Sequence, residues 1–258
     1  MKSIIKIFLL LFLFIFVACE ENEDVVINKE LNENSQVETI VDKSIEEEMR
    51  LEKEEEMRLE KELTEFLKNY NVPGIDDLND LSWPREVEAM NGLIAIDEKP
   101  KRILTISTGH DEMIFGFANL NNIVGVTSFS QSPGGNIYEL TKDMPTITSE
   151  IETIVAQSPD IVFADPYANA NLMQSLVDLD ITVVQTQLNN TSEGRINDIL
   201  FAAYILDELE SSMLLIDAIN EQIEYIEFMS SNIGNTDSVN VLSLIHISEP
   251  TRQAEISY

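Results

Sequence analysis

EIETIVAQSPDIVFADP, residues 150–166, is the stretch that decides the fold. Ile151, Ile154 and Val155 recur at helical spacing, and Ser158-Pro159 ends that pattern. Residues 161–164 then form a short apolar run, typical of a buried strand, that stops before Pro166. A helix followed directly by a buried strand is the repeating unit of a protein whose helices cover a mostly parallel sheet.

The segments on both sides continue this alternation. We predict a hairpin with strands over 86–89 and 93–96 that turns at Asn91-Gly92. Further strands are predicted over 103–107, 123–127, 161–164 and 182–186, with helices over 110–118, 151–157, 171–179 and 195–206. Strands that alternate with helices through short connections form a mainly parallel sheet. The sequence therefore predicts an α/β fold with a Rossmann-like parallel-sheet lobe over 78–206.

A long helical pattern follows the predicted lobe. Apolar residues keep helical spacing almost continuously from 193 to 233, which is longer than a lobe of this size needs. We interpret 207–236 as an inter-lobe helix and 237–258 as the start of a second lobe that is largely missing from the chain. Within that last segment, LSLIHISEPTRQAEISY (242–258) looks like translated sequencing adapter, so no functional argument is based on it.

Charge limits the class of partner. The 258 residues carry a formal net charge of −31, and such a surface has little with which to replace the counterions of a phosphate backbone. We therefore expect no nucleic-acid partner.

The first 19 residues are typical of an export signal. Basic residues precede an apolar run over 7–17, too short for a stable membrane span, and the only cysteine, Cys19, follows at once. The tetrapeptide FVAC (16–19) resembles a bacterial lipobox, which implies cleavage before Cys19 and a lipid anchor on its sulfur. An ordinary secretory signal with a chance cysteine is the alternative.

Residues 20–77 are expected to be an acidic tether. The 20–42 segment has too little apolar surface to become ordered by burial. The octet EEEMRLEK then occurs twice, at 46–53 and 54–61, and predicts an acidic helix of about three to six turns. This helix is either a solvated spacer or a coiled-coil segment that binds a partner.

Three ordered motifs between 82 and 233 resemble one family. They are WPREVEAMNGLIAIDEKPKRILTIS (83–107), STGHDEMIFGFANLNNIVGVTSFS (107–130) and MPTITSEIETIVAQSPDIVFADP (144–166). Together they resemble the substrate-binding lipoproteins of ABC importers for ferric siderophores, heme and cobalamin, which are class III periplasmic binding proteins with a helical backbone. The resemblance implies a C-terminally truncated, non-enzymatic protein, lipid-anchored outside the cytoplasm. Its partners would be an ABC permease with its ATPase, a metal chelate and, through Cys19, the lipid bilayer.

Seven residues after the predicted strands are candidates for ligand contact. Ligands of open parallel sheets bind beyond the carboxyl ends of the strands. The candidates are Ser107, Thr108, His110, Phe129, Ser130, Tyr167 and Gln187. Their hydroxyls, amide, rings and imidazole suit a bulky iron chelate, heme or cobalamin held by stacking and hydrogen bonds. We expect no catalytic residue, no metal site and no built-in cofactor, and we find no lysine or arginine in the loops that carry these residues.

A functional role for Glu152 is implied only by the family resemblance. In the matching segment of the family, this glutamate docks the lobe onto arginines of the permease. The alternative is a helix-end charge that stabilises the helix dipole.

Two other functions remain open. The chain could be a surface lipoprotein that acts as a scaffold or adhesion module through its acidic helix. It could also be an enzyme with a chelatase-like lobe. The strand ends carry no second histidine and no paired carboxylates, and this argues against an enzyme.

Overall fold

A computed structural model describes residues 26–232, and of 26–45, 48 and 232 it describes the backbone alone. The predicted signal over 1–19, its lipidation site Cys19 and the segment 237–258 therefore lie outside the described residues. The chain divides into two units, 1–61 and 62–258.

The described part of the first unit, from Val26 onward, is helical. Helix α1, Val26–Leu67, starts in this unit and carries exposed Met49, Leu51 and Met57. Arg50 pairs with Glu47 at 2.5 Å and with Glu54 at 3.0 Å. The expectation that 20–42 has no fixed structure is wrong from Val26 onward. That expectation considered burial alone, whereas a helix satisfies its backbone hydrogen bonds locally.

The second unit contains a hairpin and a larger sheet. The hairpin consists of β1, Arg85–Ala89, and β2, Gly92–Ile96. The sheet strands are β3 (Ile103–Thr105), β4 (Ile123–Thr127), β5 (Thr146–Ile147), β6 (Ile161–Ala164) and β7 (Thr182–Gln185). The helices are α2 (Thr108–Phe115), α3 (Tyr138–Thr141), α4 (Ile151–Val155), α5 (Ala170–Val177), α6 (Ser192–Leu206) and α7 (Leu209–Asn232), with a 3₁₀ turn at Leu120–Asn122.

The five strands of the larger sheet are all parallel and lie in the order β5-β4-β3-β6-β7. The predicted α/β fold with a parallel-sheet lobe is thus confirmed. Strand β5 and helix α3 were missed because two and four residues are too few to show a period. The predicted hairpin is confirmed, and its Asn91 joins the sheet edge by donating to Val183 O at 2.8 Å and accepting from Gln185 N at 2.9 Å.

Both faces of the sheet are covered. In β6, Ile161 and Phe163 belong to one apolar cluster, whereas Val162 and Ala164 belong to the other. The first cluster includes Ile114 of α2 and Leu200 of α6, and the second includes Ile154 of α4 and Leu176 of α5. Because β6 is buried on both faces, its sequence is a continuous run of apolar residues.

The lobe starts earlier than residue 78. Leu67, Val72 and Ile75 are buried in the first apolar cluster, and the compact unit begins at Glu62. Gly74 has φ +88°, a conformation that glycine adopts readily, and its carbonyl accepts from Glu88 N at 2.8 Å. The turn at Gly74, interpreted as part of the tether, thus fastens the entering chain to the hairpin.

The long helix predicted from 193 is two helices. Asp207 has φ 57° and ends α6 in the left-handed conformation, and α7 starts at Leu209. The apolar pattern does not reveal this break, since Ile205, Leu209 and Ile216 are buried on both sides of it. The corner is fixed by Arg85 Nη2, which lies 2.6 Å from Asp207 Oδ1.

Candidate ligand-binding site

The strand order places a crevice at the carboxyl edge of the sheet. The chain runs outward from β3 through β4 to β5, then returns to β6 on the other side of β3 and continues to β7. The strand order therefore reverses between β3 and β6. In open α/β sheets, such a switch point is where ligands bind, beyond the carboxyl ends of the strands.

Two exposed aromatic side chains flank the end of β3. Phe129 follows β4 and is 75% exposed, and Tyr167 follows β6 and is 93% exposed. Strands β4 and β6 both neighbour β3, so their ends lie about 10 Å apart, which is two strand spacings. The structure therefore leaves both aromatic candidates accessible at the edge where a ligand is expected.

Asp111 organises the polar residues at the ends of β3 and β4. The buried carboxylate accepts from Thr127 N at 2.9 Å, from the Thr127 hydroxyl at 2.7 Å and from the Ser130 hydroxyl at 2.6 Å. It also accepts from the Thr105 hydroxyl. Burial raises the pKa of Asp111, and these hydrogen bonds oppose that rise. The network joins the ends of β3 and β4.

Ser130 belongs to this network and not to the accessible face. It is buried, 2% exposed, and its hydroxyl donates to Asp111. Thr108 is half-buried, with its hydroxyl oxygen 3.1 Å from that of Thr127. The expectation that Ser130 contacts a ligand is therefore not supported, because position after a strand does not tell whether a hydroxyl points outward or into the fold.

His110 is fully buried and holds strand ends together. Its Nδ1 lies 2.6 Å from Ser107 Oγ, and its Nε2 lies 2.6 Å from Thr186 Oγ1. Burial lowers the pKa of His110 to about 4, and the positive charge of Arg195 acts in the same direction while Asp165 opposes it. Both nitrogens are already occupied, so His110 and its partner Ser107 form the base of the site, whereas the sequence predicts ligand contact for both.

The loop after β7 packs closely on the start of α2. A Cβ placed on Gly109 would lie 2.3 Å from Cδ1 of Leu188, so glycine allows this approach. Gln187, which is exposed, lies in the same loop and lines a pocket of about 320 Å³. The other residues that line this pocket include Met90, Gln185, Thr186, Asn189, Asn197 and Phe201.

Acidic and basic residues both lie in the segments that leave this edge. Asp165 follows β6, and exposed Glu112 on α2 accepts from Asn136 Nδ2 at 3.0 Å. Arg195 lies in α6, just after the loop that follows β7. Sequence reasoning missed Asp111 and Arg195, because it considered hydroxyls, amides, rings and the imidazole for ligand contact and examined only the loops for basic residues.

Glu152 lies on α4, the short helix that follows the edge strand β5. It is exposed and occupies the first turn of this helix, and its carboxylate makes no hydrogen bond or ion pair with another described residue. Its position is compatible both with a surface contact and with a helix-end charge.

The described residues contain no group of three or more His, Cys, Asp or Glu side chains placed to hold a metal ion. Over residues 26–232, no helix combines the length and the apolar character that crossing a membrane requires.

Comparison with known proteins shows the fold. The chain matches no protein-family model and no curated protein. Two crystal structures of variants of the heme-binding protein HmuT each superpose with a TM-score of 0.51, at 19% and 18% identity. Each match covers 65% of this chain and 55% or 52% of the HmuT chain. The chain therefore shares the fold of a heme-binding protein over about half the length of that protein.

Proposed function

We propose that the chain is the extracytoplasmic substrate-binding component of an ABC importer. It captures an iron-siderophore or a related chelate, heme or cobalamin, and delivers it to the permease. The observation that carries this proposal is the pair of exposed aromatic rings, Phe129 and Tyr167, on either side of the switch point of the sheet.

Exposed rings at this edge favour a flat or bulky organic ligand. Phe129 and Tyr167 keep most of their surface in water, although a large aromatic ring gains free energy when it is covered. Isolated exposed apolar residues are normal on protein surfaces, but two rings beside a strand-order reversal coincide with the place where α/β proteins bind ligands. A planar chelate or macrocycle can cover both rings by stacking.

The polar side chains at the base of the site are suited to holding the strand ends in place and not to catalysing a reaction. The carboxylate of Asp111 and both ring nitrogens of His110 are engaged by hydroxyls. Groups already satisfied in this way keep the strand ends in place, so that the rings are held ready for the ligand. The polar contacts to the ligand then fall to groups at the surface, such as Gln187.

The proposal includes two contacts outside the ligand site. A diacylglycerol on Cys19 would anchor the protein to the outer face of the membrane, with the acidic segment as its spacer. Glu152, which is exposed and makes no ion pair with a described residue, would dock onto arginines of the permease.

Titration of the full chain with candidate ligands tests the proposal. Hemin, a ferric hydroxamate siderophore and cyanocobalamin are added separately, and binding is followed by quenching of tyrosine and tryptophan fluorescence and by calorimetry. We expect saturable one-to-one binding of at least one of the three. The iron-free siderophore and free Fe³⁺ serve as controls, since no described cluster would hold the bare ion. Absence of saturable binding by all three would contradict the proposed ligand class.

A further inference from the structure

Arg195 is a basic residue close in sequence to the carboxyl edge of the sheet. It lies in the first turn of α6, directly after the loop that follows the carboxyl end of β7. Between residues 62 and 232, the connections that leave the carboxyl edge of the sheet carry two basic residues, Arg195 and Lys142, and Lys142 is already paired with Glu139 at 2.6 Å. Lys101 and Arg102, by contrast, precede β3 at the amino edge.

The side chain of Arg195 is held only loosely. Its Nη1 lies 3.8 Å from Asp198 Oδ2, which is too long for a hydrogen bond. The Asp198 oxygens instead accept from the backbone and side-chain amides of Asn189, both at 2.6 Å. The guanidinium, 36% exposed, donates no hydrogen bond to another described residue.

The other two arginines between residues 62 and 232 are engaged. Arg85 donates to Leu81 O and to Asp207 Oδ1, at 2.8 and 2.6 Å. Arg102 donates to Ser158 O at 2.7 Å and to Gln157 O. The five donors of Arg195 are therefore available to an outside acceptor in a way that those of Arg85 and Arg102 are not.

The charge of Arg195 also acts on the base of the site. Burial is the main reason why the pKa of His110 is lowered to about 4, and the positive charge of Arg195 contributes to that lowering. His110 in turn contacts Thr186, at the end of β7, through Nε2 at 2.6 Å. Asp165, which follows β6, acts in the opposite direction, so charged groups of both signs act on His110.

We propose that Arg195 binds a carboxylate of the transported chelate. A guanidinium presents paired donors that match the two oxygens of a carboxylate, and the pairing is strong where water is partly excluded. Glu193 and Asp198 lie in the same helix as Arg195 and offset its charge, so the expected attraction comes mainly from the paired hydrogen bonds of the guanidinium. This inference rests on the proposed function, and it narrows the ligand to a chelate with an accessible carboxylate, either a heme propionate or a carboxylate siderophore.

Matched ligands and variants of the full chain test this assignment. Hemin is compared with hemin dimethyl ester, which lacks the propionate charges, and ferric citrate represents the non-heme carboxylates. The variants are Arg195→Gln, Arg195→Lys and, as a control of equal charge change, Lys142→Gln, whose lysine pairs with exposed Glu139 at 2.6 Å. Thermal unfolding midpoints show that each variant is folded.

We expect Arg195→Gln to raise the Kd for the carboxylate ligand roughly 10- to 100-fold. Arg195→Lys should recover part of the loss, and Lys142→Gln should change nothing. Binding of the ester should be insensitive to Arg195→Gln. Whether hemin or ferric citrate shows the effect identifies the source of the carboxylate.

Two results would overturn the assignment while leaving the proposed function intact. One is wild-type binding of a chelate with no change on Arg195→Gln, and the other is an equal loss of hemin and of its ester. Failure of the wild-type chain to bind hemin, its ester, ferric citrate, a hydroxamate chelate and cyanocobalamin would instead contradict the proposed function.

Discussion

His110 Nε2 lies 2.6 Å from the hydroxyl oxygen of Thr186, 76 positions along the chain. Because His110 follows β3 and Thr186 follows β7, this contact reaches across the end of β6, which lies between those strands. The imidazole ring also stacks near Phe163 of β6, with 6.4 Å between ring centroids. One buried side chain thus connects three neighbouring strands near the carboxyl edge of the sheet.

The unfolding free energy should fall as pH decreases through the range from 6.5 to about 4. The folded pKa of His110, about 4, lies below its ordinary value of 6.5, so the unfolded chain takes up the proton first. The stabilisation from neutral His110 is complete above pH 6.5, and up to about 3 kcal/mol of it is lost near pH 4. Urea unfolding at pH 7.5, 6.0 and 5.0 measures this slope.

The variant His110→Gln isolates this effect from other titrations. Burial raises the pKa of Asp111 and of Asp198, which opposes the His110 effect, but both groups remain in the variant. The variant should be less stable at pH 7.5 and should lack the histidine part of the slope. Equal slopes in the two proteins would contradict the assigned role of His110.

The substitution Arg85→Met should destabilise the compact unit by about 3 kcal/mol. Arg85 is 1% exposed, pairs with Asp207 at 2.6 Å and lies 4.0 Å above the ring of Trp83. Its loss removes the hydrogen bonds that fix the corner between α6 and α7. Urea unfolding at pH 7.5 checks this, with Lys142→Met as a surface control for which little change is expected. A loss no larger than that of the control would show that the corner does not depend on Arg85.

The fold could be predicted from sequence because its strands are apolar and bounded by turns. Residues 161–164 illustrate this, since IVFA is buried on both faces and was predicted with its observed bounds. The two-residue β5 has no period to detect, and the break at Asp207 leaves the apolar pattern intact. Local pattern therefore identifies long elements and misses short strands and single left-handed residues.

The candidate site was predicted only in part. The exposed rings of Phe129 and Tyr167 lie at the predicted edge, because residues after parallel strands share that edge. The burial of His110 and Ser130 could not be foreseen, since it depends on partners such as Thr186 and Asp111 that other strands supply. Strand order sets these partners and the switch point. It depends on contacts between segments that are distant in sequence, so no local motif predicts it.

Reversal of the charge at Glu152 should impair uptake and leave ligand binding unchanged. Glu152 is exposed and makes no ion pair with a described residue, so Glu152→Lys should not disturb the lobe. Uptake of radiolabelled ferric chelate is measured in cells of the source organism whose only copy carries the substitution. Glu210→Lys is the matched control, because Glu210 is also an exposed glutamate in the first turn of a helix. Equal uptake by the two variants would contradict the docking role and leave Glu152 as a charge that stabilises the helix end.

The central claim is that the carboxyl edge between β4 and β6 binds the chelate. Its most direct test compares the affinity of the full chain with that of the double variant Phe129→Ala/Tyr167→Ala, for whichever chelate the wild type binds. Tyr225→Ala, which removes an exposed tyrosine from α7, serves as the control. Since stacking contributes about 1 kcal/mol per ring beyond the area covered, we predict at least a roughly 30-fold higher Kd for the double variant. Its unfolding midpoint and the Kd of the Tyr225→Ala variant should stay at the wild-type values. A double variant that is folded and binds the chelate as tightly as the wild type would contradict the claim.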